Sequence, residues 1–309
     1  MTNQWSRIMR KTLEWMIYPV LAAAFIFAFM QSQDMGFNAG ISLLVITVVH
    51  MAIIALLELV MPARLDWNWL KDRQVINDLI HGVLLDFGAR IGRAALTITL
   101  LAIAATQTGQ AIWQIWPTQW PLLFQIVLAV LLYDFVDYWK HRAYHAWAWA
   151  WPIHVVHHNP SKMNVFKAGR LHFLEATIRA AITSAPMIVL GAPVEVFWWV
   201  AALANLMGGQ NHWNIKSRLP RFLDILIATP NTHWLHHAIG EKYRVCNLSP
   251  YTMWPDHLFG TFQRQPRDSI EDVGVDFDPV PKNILGQIAV PFLWPWLVSR
   301  TTKILASQQ

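Results

Sequence analysis

Cysteine occurs once in 309 residues, as Cys246. No internal disulfide can form, and the chain suits a reducing compartment. Charge is scarce as well. Only 14% of the residues are Asp, Glu, Lys or Arg, against 55% that are hydrophobic. So little polar surface cannot cover so much apolar area, which leaves lipid as the solvent for much of the chain. Several catalytic signatures are missing. HExxH is absent, which excludes the helical zinc-protease arrangement. There is no GxSxG elbow, no CxxCH haem site and no glycine-rich dinucleotide fingerprint. The basic N-terminus precedes an apolar run of spanning length without a small-residue cleavage site, which argues against a cleaved signal peptide. Asn247-Leu248-Ser249 is formally a glycosylation sequon, but Pro250 follows it and we read it as coincidence. No repeat, low-complexity tract or linker interrupts the chain, so one domain over residues 1–309 is expected.

Long apolar runs are what the sequence has instead. Residues 14–31, 39–61, 77–105 and 121–139 are each read as a helix able to cross the roughly 30 Å hydrocarbon core. Two shorter runs within 176–210, broken at Gly191-Ala192-Pro193, read as a re-entrant helical hairpin. GQIAVPFLWPWLVS, near the C-terminus, is proline-broken and reads as an interfacial helix. The loops after the first span, at 107–120 and at the hairpin turn carry no Lys or Arg. The second of these bears Trp113, Trp116 and Trp120, as an interfacial aromatic belt would. The basic segments (the N-terminus, 62–76, 140–170 and 214–244) all fall on one side, which the positive-inside rule makes cytoplasmic. The same bias accounts for the net charge of +5 without invoking nucleic acid.

Histidine is the other abundance. His141 and His145 stand four apart; His154, His157 and His158 follow as HxxHH, and His233, His236 and His237 repeat that spacing. On a helix these spacings bring imidazoles to one face. His50 and His81 stand alone and read as structural. Neutral imidazole ligates iron, zinc and copper, and one ion takes four to six ligands, so clustering on this scale, with His212, implies two ions. Asp137 and Asp134 lie one and two turns before His141. Each either holds a ligand's second N–H or faces Lys140 or Arg142.

HRAYH, HVVHH and HWLHH, in that order and on one side of four spans, resemble the fatty acid hydroxylase/sterol desaturase family of integral-membrane di-iron enzymes. Arg170 to Glu175 is similar to that family's R-x-H-P-x-E element, with Phe173 where proline is usual. His212-Trp213-Asn214 resembles its H-x-N element. WPDHLFGTF, from Trp254 to Phe262, resembles its closing W-D-x-L-F-G-T-F, with Pro255 inserted and His257 where arginine is common.

The resemblance implies O2-dependent hydroxylation or desaturation of a lipid C–H bond, the lipid being a sterol, fatty acyl chain, ether lipid or carotenoid. It implies an all-α membrane-embedded helical bundle with about four spans, the hairpin, and a cytosolic histidine-rich cap. The ligands carried over are His141, His145, His154, His157, His158, His212, His233, His236 and His237, with His172 as a weaker tenth. Two iron ions are the implied cofactor, although zinc binds the same ligand types. Glu175 is expected to pair with Arg170 or Arg179, and His257 to pack or cap. Trp147, Trp149 and Trp151 are expected either to line a lipid entrance or to anchor depth. With no flavin or nicotinamide signature, the electrons must come from a ferredoxin, a reductase or a small cytochrome. The contrasting expectation is a non-enzymatic membrane protein that binds or transports metal.

Overall fold

A computed structural model describes residues 2–106 and 115–307. Trp113, with the rest of 107–114, lies outside the described residues. Eleven α-helices follow in order among them: α1 Thr2–Asp34, α2 Ala39–Val60, α3 Val75–Thr106, α4 Leu122–Ala146, α5 Trp151–His158, α6 Phe173–Leu190, α7 Val194–His212, α8 Arg221–Leu226, α9 Pro230–His236, α10 Trp254–Leu258 and α11 Ile284–Ala306. No strand occurs among the described residues, where β-pairing is limited to isolated bridges.

Among the described residues, four helices are long and apolar enough to cross a membrane: Ile8–Asp34 of α1, then α2, α4 and α6; the run at 77–105, expected as a span and lying in α3, is not among them, whereas α6, expected as half of the hairpin, is. They are built inside out relative to a soluble bundle. In α1, Tyr18, Leu21, Phe25 and Phe29 recur at helical spacing and pack against α2 and α7, through Ile54, Leu43 and Leu206. Phe27, Ile41, Leu44 and Val48 point outward and are more than half exposed. Contiguous apolar surface of this kind needs lipid against it. The chain is a multi-pass membrane protein.

The hairpin region turns where the sequence places a break. Gly191 adopts φ 82°, and the N–H groups of Gly191 and Ala192 bond back to Ile188 and Met187, which ends α6 in a left-handed cap. α6 then runs close along α3. A Cβ on Gly88 or Gly92 would collide with the backbone carbonyls of Phe173 and Thr177, so these glycines set how near α6 comes. The start of α6 is thereby pressed toward the end of α5. On its other side α5 is buttressed by α11, through Val155 and Val156 against Val290 and Leu297. α11 is longer than the proline-broken run predicts, and Pro291 and Pro295 sit inside it. Of the expected aromatic belt, Trp120 is exposed, whereas Trp116 is buried and donates its indole N–H to Gln125 at 2.9 Å.

Ions are buried beneath α5. Asp78 of α3 accepts from Lys167 and from Arg170 Nη1 (2.7 Å), and all three side chains are almost fully buried. Arg170 also donates through Nε to the Val156 carbonyl and through Nη2 to Asn159. It thus satisfies a carbonyl in the last turn of α5 that the helix itself leaves free. Asn214 ties the end of α7 to the segment after α2: its backbone N–H reaches Glu58, and its amide exchanges hydrogen bonds with Arg64.

Candidate metal centre

Nine histidines meet where α4, α5, α7 and α9 converge. Their ring nitrogens form two groups. His141, His145, His154, His158 and His236 make one; His157, His212, His233 and His237 make the other. Within each group the available nitrogens lie within 4.8 Å of one another. Eight of the nine side chains are buried and His233 is partly so.

The two HxxHH triplets divide between the groups, each in the opposite sense. From α5, His154 and His158 enter the first group and His157 the second. From α9, His233 and the following His237 enter the second group and His236 the first. Helix geometry explains the split: relative to the leading histidine, i+4 lies about 40° round the axis on one side and i+3 about 60° on the other. Each triplet therefore gives a near-eclipsed pair to one group and a single ring to its neighbour. The groups adjoin, with the His158 and His237 rings stacked at 4.3 Å between centroids.

Hydrogen bonding fixes the protonation of five rings. His141 Nδ1 bonds the Leu248 carbonyl at 2.7 Å, His157 Nδ1 that of Arg170 at 3.2 Å, and His212 Nδ1 that of Gly208 at 2.8 Å. His236 Nδ1 bonds the Cys246 carbonyl at 2.7 Å, and His154 Nδ1 the Glu175 carboxylate at 2.9 and 3.0 Å. Carbonyls and carboxylates only accept, so each Nδ1 carries the hydrogen and each Nε2 is left as a lone pair. Those lone pairs face inward. His141 and His154 oppose theirs across 2.9 Å, and His157 and His212 across 3.5 Å. Two lone pairs so placed repel unless a cation lies between them. Both nitrogens of His145 and Nε2 of His236 are buried without a partner.

A pair of metal ions fits this donor set. Imidazole nitrogens bound to a metal at about 2.0–2.1 Å sit about 3 Å apart when they subtend a right angle. The Nε2 separations of 3.0 Å for His154 and His158, 2.9 Å for His212 and His233, and 3.2 Å for His233 and His237 match that spacing. Burial, reinforced by neighbouring imidazoles, holds His157, His158, His233 and His237 well below the ordinary histidine pKa and takes His236 down to about 3. They are neutral donors at neutral pH, as metal ligation requires. Cys246 is no competitor, since burial pushes its thiol up to about 12.

Other sequence candidates fall elsewhere. His172 lies outside both groups: it caps α6 by accepting from Leu174 N–H through Nδ1, and its Nε2 donates to the Ile288 carbonyl at 3.0 Å. With both nitrogens engaged it has no lone pair to offer as placed. Neither Asp134 nor Asp137 holds a clustered histidine. Asp134 accepts from the Tyr251 and Thr252 backbone and from the Thr252 hydroxyl. Asp137 pairs with Lys140 and with Arg179, each at 2.9 Å. The carboxylate that does hold a ring is Glu175, whose expected arginine partners are replaced by His154, with Lys140 at 3.7 Å. His50 and His81 stay apart from the cluster, His81 on Gln287. His257 donates to the Ile225 carbonyl, a packing role as expected. The tryptophans separate: Trp151 lies 5.3 Å from His145 and 5.6 Å from His158, while Trp147 and Trp149 stack on each other at the surface.

Two positioning residues carry no histidine-like spacing to reveal them. Asp256, inside the closing motif, accepts from Leu248 N–H, Ser249 N–H and the Thr261 hydroxyl. It fixes the loop whose carbonyls hold His141 and His236. Between those carbonyls Asn247 takes φ 50°, and its amide is bonded to Thr232 and Gln263.

Comparison with known proteins agrees with this geometry. The family model described as fatty acid hydroxylase matches residues 126–261, which hold all nine clustered histidines. An ornithine lipid hydroxylase of Rhizobium tropici is 33% identical over 83% of this chain and 78% of its own length. Methylsterol monooxygenase 1-1 of Arabidopsis thaliana is 26% identical over 50% of this chain, and alkylglycerol monooxygenase of Caenorhabditis elegans 23% identical over 74%. The chain spans 54% and 44% of the length of those two relatives. No solved structure matches. The histidine pattern, the helical membrane fold and these relatives agree: the chain belongs to the fatty acid hydroxylase family, the oxygen-dependent oxidoreductases that hydroxylate lipids in membranes.

Proposed function

We propose that the chain hydroxylates a C–H bond of a membrane acyl lipid at a centre of two iron ions, using O2 and two electrons from an external donor. The observation that carries this is the meeting of two groups of inward-facing imidazole lone pairs. His141, His145, His154, His158 and His236 would hold one ion, and His157, His212, His233 and His237 the other. When bound, such a pair supplies the activation of O2 and shares the two-electron oxidation of an unactivated C–H bond. The chain's own part is positional. Carbonyls of Arg170, Gly208, Cys246 and Leu248, with the Glu175 carboxylate, hold the outer nitrogens of five rings so that their inner ones face the centre. Burial excludes bulk water from them. Trp151 stands against His145 and His158 as an apolar wall that a lipid chain would pass.

An ornithine lipid is the first substrate to test, because a relative 33% identical over 83% of this chain is named for one. The positive-inside bias supports a cytoplasmic location for the N-terminus and the metal site, where a ferredoxin, a reductase or a small cytochrome would deliver electrons.

Iron-loaded protein in lipid nanodiscs should be given ornithine lipid, a ferredoxin and its reductase, and 18O2. Insertion of one labelled oxygen per product, dependent on iron, is the expected result. Two hydrogens lost with no label would make it a desaturase, with the same ligands. No lipid product from fully loaded protein, across a total lipid extract, would overturn the reading.

A further inference from the structure

A cavity of about 200 Å³ is bounded by Trp15 of α1, Ser217, Arg218 and Leu219 of the segment after α7, Asn231 of α9, and Arg267 and Asp268. A water molecule's share of the liquid is about 30 Å³, so the space suits a small oxyanion with some of its hydration. Arg267 is only 6% exposed and forms no ion pair among the described residues. Its Nη2 donates to the Ile215 and Ser217 carbonyls, at 2.9 and 3.4 Å, and its guanidinium lies 4.8 Å over the Trp234 ring. Its Nη1 is buried with nothing to bond, and so is the Ser217 hydroxyl beside it. A buried cation without a direct ion-pair partner is costly. Burial takes this guanidinium down to about 10, against the opposing pull of the Asp268 and Asp224 charges, so it is still charged at neutral pH.

We propose that this cavity binds a phosphate-type oxyanion, held by Arg267 Nη1 and the Ser217 hydroxyl, with the exposed Arg218 at its mouth. A guanidinium fork and a hydroxyl are the donors that phosphate oxygens accept from most readily. Arg218 is already steered there, because its Nε donates to the buried Glu14 at 2.7 Å. The exposed Asp268 at the rim sets a limit on how much negative charge the mouth attracts. Trp15, half exposed on a spanning helix, places the cavity beside the lipid surface. The oxyanion is thus either a phospholipid headgroup or free phosphate. The site adjoins the helix that carries His233 and His236 without sharing a residue with either histidine group.

The test uses full-length, metal-loaded protein in maltoside micelles freed of phospholipid. Thermal unfolding is followed while inorganic phosphate, or dihexanoyl phosphatidic acid below its micelle concentration, is titrated at matched ionic strength against chloride. Saturable stabilisation by phosphate and not by chloride is expected. A tenfold or greater preference for the short-chain phosphatidic acid would identify a lipid headgroup as the source, and equal affinities free phosphate. Ser217→Ala should weaken binding several-fold; it removes a hydroxyl that has no partner, so the fold is retained. Ser217→Asp should raise the melting temperature without phosphate and abolish the response, by supplying the anion internally. Arg267→Gln should abolish the response where it folds. Equal responses to phosphate and chloride, or a Ser217→Asp variant that still responds like the wild type, would overturn the proposal.

Discussion

Glu175 grips Nδ1 of His154 with both carboxylate oxygens, at 2.9 and 3.0 Å. The carboxylate is anchored in turn, with Lys140 at 3.7 Å, Asp137 next to Lys140, and Arg179 beyond. The negative charge raises the donor strength of the inward Nε2 and fixes the ring against rotation. Glu175→Gln keeps the size of the side chain but removes the charge. We expect metal affinity to fall roughly 10–100-fold, with hydroxylation falling in step. Metal content after dialysis against a graded chelator, beside a circular dichroism spectrum, checks this. Full retention of metal would show that the carboxylate only supports packing.

The division of each HxxHH triplet predicts a stoichiometry that follows group membership instead of position in the chain. His157→Ala and His158→Ala alter neighbouring residues on one short helix, yet they should deplete different ions. Each should lower metal content from about two toward one per chain, since one site loses a nitrogen while the other keeps its set. Pairing His157→Ala with His237→Ala should cost little further metal, because both lie in the second group. Pairing His157→Ala with His236→Ala should empty both. Elemental analysis of the single and double variants decides it, and additive loss irrespective of grouping would contradict the division.

Much of this centre is legible from spacing alone. Histidines at i, i+3 and i+4 must share a helix face, and charge bias places their segments together. Which ring joins which group is not legible, because it depends on how α5 and α9 face each other across the cluster. The same applies to Glu175. In the sequence its nearest arginines are Arg179, one helical turn on, and Arg170, five residues before it. Only the glycine-mediated approach of α6 to α3 carries it to His154 instead. His172 shows the reverse case, a histidine in a motif slot whose two nitrogens are taken up by capping α6 and tying it to α11. Local pattern reports which side chains can act together; the partners of their outer nitrogens are set by contacts far apart in the chain.

Gly92 makes that dependence testable. Its Cβ position is filled by the Thr177 backbone, which cannot yield as the end of a flexible side chain would. Gly92→Ala should force α6 away from α3 and cost about 1–3 kcal/mol, the range typical of overpacking. The displacement also draws Glu175 from His154, so metal affinity should fall together with stability. Gly82→Ala is the control, because a Cβ there meets nothing within 4 Å. Melting temperatures in nanodiscs and metal content would separate the two. A Gly92→Ala protein with wild-type values would mean that the close approach is not needed.

Asn247 gives the sharpest test of how the first group is held. It stands between the two carbonyls that orient His236 and His141, in a left-handed conformation at φ 50° that asparagine tolerates better than other side chains. Asn247→Gly keeps the backbone geometry and loses the bonds to Thr232 and Gln263. Asn247→Ala loses those bonds and adds strain of about 1–2 kcal/mol. If the backbone conformation is what aims the carbonyls, the glycine variant should retain more metal than the alanine variant, although both are less stable than the parent. The deficit should fall on the ion of the first group, because His157, His212, His233 and His237 take no hydrogen bond from this loop. Equal metal loss in the two variants would assign the effect to the amide's hydrogen bonds rather than to the turn.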